Sequence, residues 1–334
     1  MKKKARIMTQ VRFVTVEQKD DDIRLDRWFN RYYPNLKNGM LQRLLRAKNI
    51  RVNMTKATTN QRLKGGDVVR IPPLDIDPKP KEQRTVSATD TAFIQSLIIY
   101  KDNDVIVLNK PAGIAVQGGS KTTRHIDGML DALKFDSNER PKLVHRLDKE
   151  TSGVLVIARC ASVAAKLTKA FATHTARKVY WAVVVGRPKL VSGKIDAPLV
   201  KAPCHDGGEQ VRVDFENGRR AVSLYRIADH LGKKVSWLEL SPLTGRTHQL
   251  RVHCGVLNTP ILGDYKYDPE QAEILPEGHT KMHLHARFIS LPHPNGGMLT
   301  VNALLPKHMK ETFDFFGFDE NDASDPSKFL TKES

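Results

Sequence analysis

The residues HRLDKETSGVLVIAR (145–159) set Asp148 between the basic residues Arg146 and Lys149 and just ahead of an apolar run. Flanking cations and hydrogen bonds lower a carboxyl pKa, so this spacing predicts a permanently ionised Asp148, a nucleophile or base rather than a proton donor. Thr151, Ser152 and Gly153 suit a tight polar turn, and residues 154–158 run apolar as a buried strand does. Asp148 is thus expected on a loop braced by a core strand. Catalytic residues often sit so, yet surface loops with Asp, Lys and Glu are commoner, and spacing alone favours a solvated loop.

Outward from that stretch, composition narrows the classes. The chain has 334 residues, 40% of them hydrophobic, enough for one large core or two domains. Its formal charge is +17, which favours a polyanionic partner such as nucleic acid. Residues 1–80 hold 19 Lys and Arg against 8 Asp and Glu, so a strongly basic module precedes a milder body. Cys160, Cys204 and Cys254 form no CxxC pair, which argues against a disulfide framework or zinc site and suits a reducing compartment. The basic start, Met1 to Lys4, leads into no apolar stretch, and no run approaches membrane-spanning length. A cytoplasmic protein without membrane contact is expected.

Within residues 11–71, Ile23, Leu25, Trp28 and Phe29 have helical spacing, and Leu41, Leu44 and Leu45 form a second apolar stripe. Strands are expected at 50–53 and 68–71, joined through the turn Leu63-Lys64-Gly65-Gly66-Asp67. Two helices and a small sheet make a small α/β module whose basic face suits folded RNA, with Arg24, Arg27, Arg43, Arg46, Lys48, Arg51 and Lys64 as its contacts. The competing reading is a solvated surface that aids solubility. Residues 72–90, rich in Pro and charge, read as a linker. In 91–316, strands are expected at 104–109, 154–158, 179–186, 221–228, 235–241 and 299–303, and helices at 126–133, 161–173, 247–257 and 307–316. That mixture predicts an α+β fold: a mixed, largely antiparallel sheet with flanking helices. Residues 317–334 read as a polar, frayed tail.

Three further segments carry reactive side chains beside strands. VIVLNKPAGIAVQGG (105–119) ends a strand at Asn109-Lys110-Pro111 and matches no nucleotide-binding loop. In Arg177-Lys178-Val179-Tyr180-Trp181, strand alternation turns Lys178 and Tyr180 to one face, a core face or a cleft. In LTGRTHQLRVH (243–253), Thr244 or Thr247 suits a helix cap, and Arg251 presents a fork for a carboxylate elsewhere, Asp148 among the candidates. His248, His253 and Cys254 with His283 and His285 show neither HExxH spacing nor a carboxylate shell, so no metal is expected.

HRLDKETSGVLVIA, LNKPAGIAVQGG, KVYWAVVVG and SPLTGRTHQLRVH, followed by Pro260 to Asp264, together resemble the RluA-type family of pseudouridine synthases. RLDRWF and LKGGDVV in the basic module resemble the alpha-L RNA-binding domain shared with a small-subunit ribosomal protein. The pairing is most similar to family members that act on large-subunit ribosomal RNA. The resemblance spans about residues 12–310 and implies the pseudouridine synthase fold and the isomerisation of uridines already in RNA. It implies no cofactor, and a monomer whose partner is large-subunit ribosomal RNA or its assembly intermediate. It implies Asp148 as the catalytic carboxylate, Arg146 in base flipping, and Tyr180 stacking on the flipped base or aiding removal of the C5 proton. Arg251, with Arg246 as fallback, is implied as the ion-pair partner of Asp148. Asn109, Lys110, His145, Leu147, Thr244, Arg246 and His248 are expected around the substrate. The alternative is a non-catalytic RNA-binding or ribosome-assembly protein of the same fold.

Overall fold

Tyr33 precedes Pro34, and a residue before proline avoids helical backbone, so the first helix of the chain stops at Tyr32. The computed structural model describes residues 10–74, 86–119, 122–203, 209–268 and 281–323. The chain divides into two units, Met1–Thr85 and Val86–Ser334. The first unit runs β1 (Arg12–Thr15), β2 (Ile23–Arg24), α1 (Leu25–Tyr32), α2 (Asn38–Arg46), β3 (Arg51–Val52), β4 (Thr55–Lys56), β5 (Arg62–Leu63) and β6 (Val68–Ile71). Its sheet has the order β1-β6-β3-β4, with β2 and β5 paired apart from it. Leu25, Trp28 and Phe29 of α1 meet Leu41, Leu44 and Leu45 of α2 over Ile50, Val69 and Ile71 in one core. Ile23, expected to open the first helix, instead pairs with Leu63, because Arg24 at the cap is extended.

The second unit runs α3 (Ala88–Ser96), β7 (Ile98–Lys101), β8 (Val105–Lys110), α4 (Ile126–Met129), β9 (Lys142–Leu143), β10 (Ser152–Ala158), α5 (Ala161–Ala172), β11 (Arg177–Val185), β12 (Ser192–Asp196), β13 (Leu199–Pro203), β14 (Glu209–Val213), β15 (Val222–Leu231), β16 (Val235–Pro242), α6 (Gln249–Val256), β17 (Leu284–Pro292), β18 (Met298–Asn302) and α7 (Lys307–Phe316). Its main sheet has the order β12-β15-β16-β11-β17-β10-β8-β7, with β18 on β17 and β9 on β10; β13 and β14 form a separate hairpin. Every ladder among the described strands is antiparallel except β10–β17. This is the mixed, largely antiparallel sheet that the sequence pattern predicts.

Helices cover both faces, and this is why β8 and β10 read as unbroken apolar runs. Ile106, Leu108, Leu155 and Ile157 pack toward α3 and α4, whereas Val105, Val107, Val154 and Val156 pack toward α5. Farther along the sheet, Ala182, Val184, Leu238 and Leu240 face α6, and Val179, Trp181, Val183 and Trp237 face α7. Among the described residues no helix is long and apolar enough to cross a membrane.

Two boundaries differ from expectation. Residues 86–90, placed in the linker, lead into α3, where Ser87 caps the helix by accepting from the Asp90 N–H at 3.1 Å. Phe318, placed in the polar tail, is buried against Trp237 and Phe313, and Glu320 pairs with Arg287 at 3.1 Å. One apolar side chain thus ties 317–323 to the core. Residues 75–85 of the expected linker and 324–334 of the expected tail lie outside the described residues.

Gly153 sits where β8, β10 and β17 meet, opposite Lys110 on one side and Ala286 on the other. Its φ is +109°, and a Cβ there would lie 2.2 Å from the Ala286 carbonyl oxygen. Backbone strain and a backbone clash therefore coincide. Gly153→Ala is expected to lower stability by about 3 kcal/mol; urea unfolding that shows an unchanged midpoint refutes this account of the junction.

Candidate active site

Asp148 lies on the loop between β9 and β10, whose turn is closed by the Thr151 N–H donating to the Asp148 carbonyl at 3.2 Å. Leu147 packs into the core beside α3 and α4, which anchors the loop, and it also lines the clefts on either side of Asp148. Lys110 is fully buried, and its Nζ donates to the carbonyls of Pro111 and Ile114 at 2.9 Å and of Lys149 at 3.1 Å. Lys110, expected at the substrate, is instead a strut that binds the 111–114 turn to the Asp148 loop. Burial pulls its pKa down to about 7, against the opposing pull of Glu150 and Asp148. Asn109 pairs with Val154 in the sheet and donates through Nδ2 to the Leu304 carbonyl at 3.0 Å, away from the cleft.

A cleft of about 420 Å³ opens beside this loop, lined by His145, Arg146, Asp148, Lys178 and Tyr180 from one side and Thr244, Arg246, His248 and Arg251 from the other. A second cleft shares Arg146, Asp148, His248 and Arg251 and extends to Gln117 and Lys266, so Asp148 stands on the partition between them. Alternation along β11 works as expected: Lys178 and Tyr180 face the cleft while Val179 and Trp181 enter the core behind it. Burial, with the Asp148 charge adding to it, raises the Tyr180 pKa, so its phenol stays protonated. His145 stacks on Phe171 at 4.4 Å and accepts from the Val156 N–H through Nε2 at 2.8 Å. Burial lowers its pKa to about 3, so it is a neutral wall of the cleft.

The partner of Arg251 is not Asp148. Its Nε and Nη2 grip Asp264 at 2.7 and 2.6 Å, both side chains are buried, and the guanidinium lies 4.9 Å from the Tyr267 ring centre. Arg246, the fallback, donates through Nε to the Arg220 carbonyl at 3.0 Å. Arg251 still acts on Asp148 through its field. Burial raises the Asp148 pKa, and Arg251, then Arg146 and Lys110, oppose it. The expected lowering is therefore reversed: desolvation outweighs the cations that flank the loop. Among the basic side chains of the described residues, His248 is the one within 4 Å of the carboxylate, with Nε2 3.9 Å from Oδ2.

Neither Thr244 nor Thr247 caps α6. His248 occupies the cap in left-handed conformation, φ 53°, without a side-chain cap bond. Thr244 Oγ1 instead accepts from the Val222 N–H at 2.9 Å and donates to Gln249 Oε1 at 2.7 Å, bracing the motif to β15. His253, His283 and His285 serve the core: His253 lies between Ser223 Oγ and the Ala197 carbonyl, His283 between the Leu262 carbonyl and Thr312, and His285 between Ser152 Oγ and the Ala303 carbonyl. Cys254 is wholly buried, and Cys204 lies outside the described residues.

Sequence reasoning missed Asp264 and Tyr267 as site residues. The signal was the Gly263-Asp264 step of the quoted motif: Gly263 has φ +78°, and a Cβ there would lie 2.2 Å from the Lys281 carbonyl oxygen. In the first unit Arg27, Arg43, Arg46, Lys48 and Lys64 are exposed, and none has an ion-pair partner among the described residues. Arg24 is paired with Asp26 at 2.7 Å, and half-buried Arg51 turns its Nε to the Lys48 carbonyl at 3.4 Å.

A model of RNA pseudouridylate synthase matches residues 104–255. Ribosomal large subunit pseudouridine synthase C of Rickettsia conorii is 37% identical over 80% of this chain and 88% of its own length. The mitochondrial RNA pseudouridine synthase 4 of Arabidopsis thaliana is 38% identical over 72% of this chain, which spans 59% of that longer protein. Among solved structures, human RNA pseudouridylate synthase domain containing 4 aligns with a TM-score of 0.58 at 29% identity, over 69% of this chain and 97% of its own.

Removing one half of the Arg251–Asp264 pair leaves a buried, uncompensated charge. Asp264→Ala is expected to cost about 3–5 kcal/mol of stability, and replacing both, Arg251→Met with Asp264→Leu, to recover most of it. Urea unfolding in which the double variant is as unstable as the single one contradicts this.

Proposed function

The chain belongs to the RluA-type RNA pseudouridylate synthases, and on that premise we propose that it isomerises specific uridines of large-subunit ribosomal RNA with Asp148 as the reacting carboxylate. It is an isomerase, and the non-catalytic alternative falls away. The reaction breaks the bond from C1′ to N1 of uracil, turns the base, and joins C1′ to C5; the C5 proton leaves and N1 gains one. Atoms balance without redox or hydrolysis, so the chain's own residues have to hold the base, supply the carboxylate and move a proton.

The observation that carries the assignment is the convergence of Asp148, Tyr180, Arg146 and Arg251 on one cleft. The half-buried carboxylate has the field of Arg251 to keep it ionised, as nucleophile or as base. Arg146 is exposed at the lip of both clefts, where a guanidinium suits filling the gap left by an extruded uridine. The protonated phenol of Tyr180 offers a stacking surface and a proton-transfer group. For the first unit, the proposal is RNA docking through Arg27, Arg43, Arg46, Lys48 and Lys64, supported by their exposure and lack of carboxylate partners among the described residues. A monomer working in the cytoplasm on ribosomal RNA or an assembly intermediate completes the reading.

Asp148→Asn is expected to retain RNA binding and fold while losing isomerisation; pseudouridine mapping of ribosomal RNA from cells carrying wild type, this variant or neither tests it, and wild-type modification by the variant sinks it. Because the active form is ionised and burial raises its pKa, activity should fall on acidification above the range of a solvated Asp, about 3.9. A kcat profile flat down to that value would contradict the sign. Replacing Arg43, Arg46 and Lys48 by Ala should weaken RNA binding and flatten its dependence on log salt by roughly 0.7–0.9 for each phosphate that the variant no longer neutralises. An unchanged slope removes the docking role.

A further inference from the structure

Asp148 is left without a hydrogen-bond donor among the described residues, although a half-buried carboxylate normally has one. His248 is in position to supply one, with Nε2 3.9 Å from Asp148 Oδ2. A movement of about 1 Å would bring that pair into ordinary hydrogen-bond range. The ring's other nitrogen is already committed. Nδ1 lies 2.7 Å from Tyr267 Oη, and that oxygen accepts the Val211 N–H at 3.2 Å. With the Val211 N–H as its other partner among the described residues, the phenol is free to donate to Nδ1, and in that arrangement the neutral ring carries its own proton on Nε2, facing Asp148. Tyr267 is in turn fixed edge-on to the imidazole, with the Arg251 guanidinium over its ring. The His248 backbone is left-handed, a conformation uncommon outside glycine that fixes the direction of its ring.

The geometry points to His248 as a positioning residue: Tyr267 holds its ring in the Nε2–H tautomer, and that N–H closes on Asp148 Oδ2 when RNA fills the cleft, orienting the carboxylate. This rests on the reading of Asp148 as the reacting group. It reassigns His248 from substrate contact to a part of the catalytic carboxylate's support. Burial, followed by the Arg251 charge, lowers the His248 pKa to about 4, so the ring is neutral at neutral pH and acts as a dipole without adding charge. The charged groups acting on the pair are Arg251, Arg146 and Asp264 for both, Lys110 for Asp148 and Lys266 for His248, with Tyr180 across the cleft. None of them replaces a directed N–H.

The test uses the full chain and a large-subunit ribosomal RNA transcript tritiated at uridine C5, from which isomerisation releases the label. His248→Phe is expected to lower kcat about ten- to a hundredfold, the size of a hydrogen bond to a charged group, with KM little changed. The acid limb of kcat should move to higher pH, because a carboxylate that loses a donor is protonated more easily. His248→Gln, which reaches a similar point with an N–H, should recover much of the loss and return the limb. Tyr267→Phe, which keeps the ring over Arg251 but releases the tautomer, should lower kcat less and move the limb the same way. Wild-type kcat with an unmoved limb in His248→Phe, a loss confined to KM, or a Gln variant no better than Phe overturns the proposal. If thermal unfolding shows that His248→Phe does not fold, Tyr267→Phe decides alone: an unmoved kcat and limb overturn it. Asp148→Asn is assayed beside them, and activity in that variant defeats the reading of Asp148 itself, whatever His248 does.

Discussion

The close approach of Gly153 to Ala286 is the constraint on which the second unit depends. It is the point where the single parallel ladder of the described sheet forms, and it tolerates no Cβ on the β10 side. Through it runs a lateral row: Lys110 pairs with Gly153, Gly153 with Ala286, Ala286 with Tyr180, and Tyr180 with Leu240. Neighbouring strands are roughly 4.8 Å apart, so this row sets Tyr180 about 10 Å along the sheet from the foot of the Asp148 loop. A side chain at position 153 would push β17 away and separate Tyr180 from the Asp148 loop.

Around that row, the electrostatics divide into a scaffold and a field. The Arg251–Asp264 pair is geometrically closed, with both prongs of the guanidinium used. It therefore supplies Asp148 with positive potential without offering a competing hydrogen bond. Lys110 works similarly from below, committing its ammonium to three carbonyls while its charge still bears on Asp148. The burial-driven rise of the Asp148 pKa is thus opposed by basic groups whose hydrogen bonds are committed elsewhere. A direct ion pair with Arg251 would have stabilised the ionised form more and occupied its oxygens.

Much of the architecture was legible in the sequence for simple reasons. Residues 105–108 and 154–158 are apolar on both faces because helices cover both sides, and continuous apolar runs betray such strands. The helical spacing of Leu41, Leu44 and Leu45 marked α2 as clearly. β17 was not legible, although it is central to the sheet: LHARFISLP interrupts its apolar pattern with His, Arg and Ser. The structure satisfies those polar groups locally, His285 with Ser152 and Ala303, and Arg287 with the Ala303 carbonyl, Glu320 and the face of Trp181. Phe318 was hidden among acidic neighbours, since one aromatic without periodicity does not announce a packing site.

The sequence by itself determined the ingredients of the site: an Asp braced by a core strand, a Lys and a Tyr on one face of a strand by alternation, an Arg-bearing segment beside α6, and a basic module ahead of them. These depend on short-range regularities of backbone period and turn chemistry. Tertiary structure decided which of those groups touch. It gave Arg251 to Asp264, turned Leu147 and Lys110 inward, and brought His248 with Tyr267 to face Asp148. It also reversed the direction of the Asp148 pKa, because desolvation depends on what the folded chain packs around a carboxylate and neighbouring residues in the sequence do not reveal it.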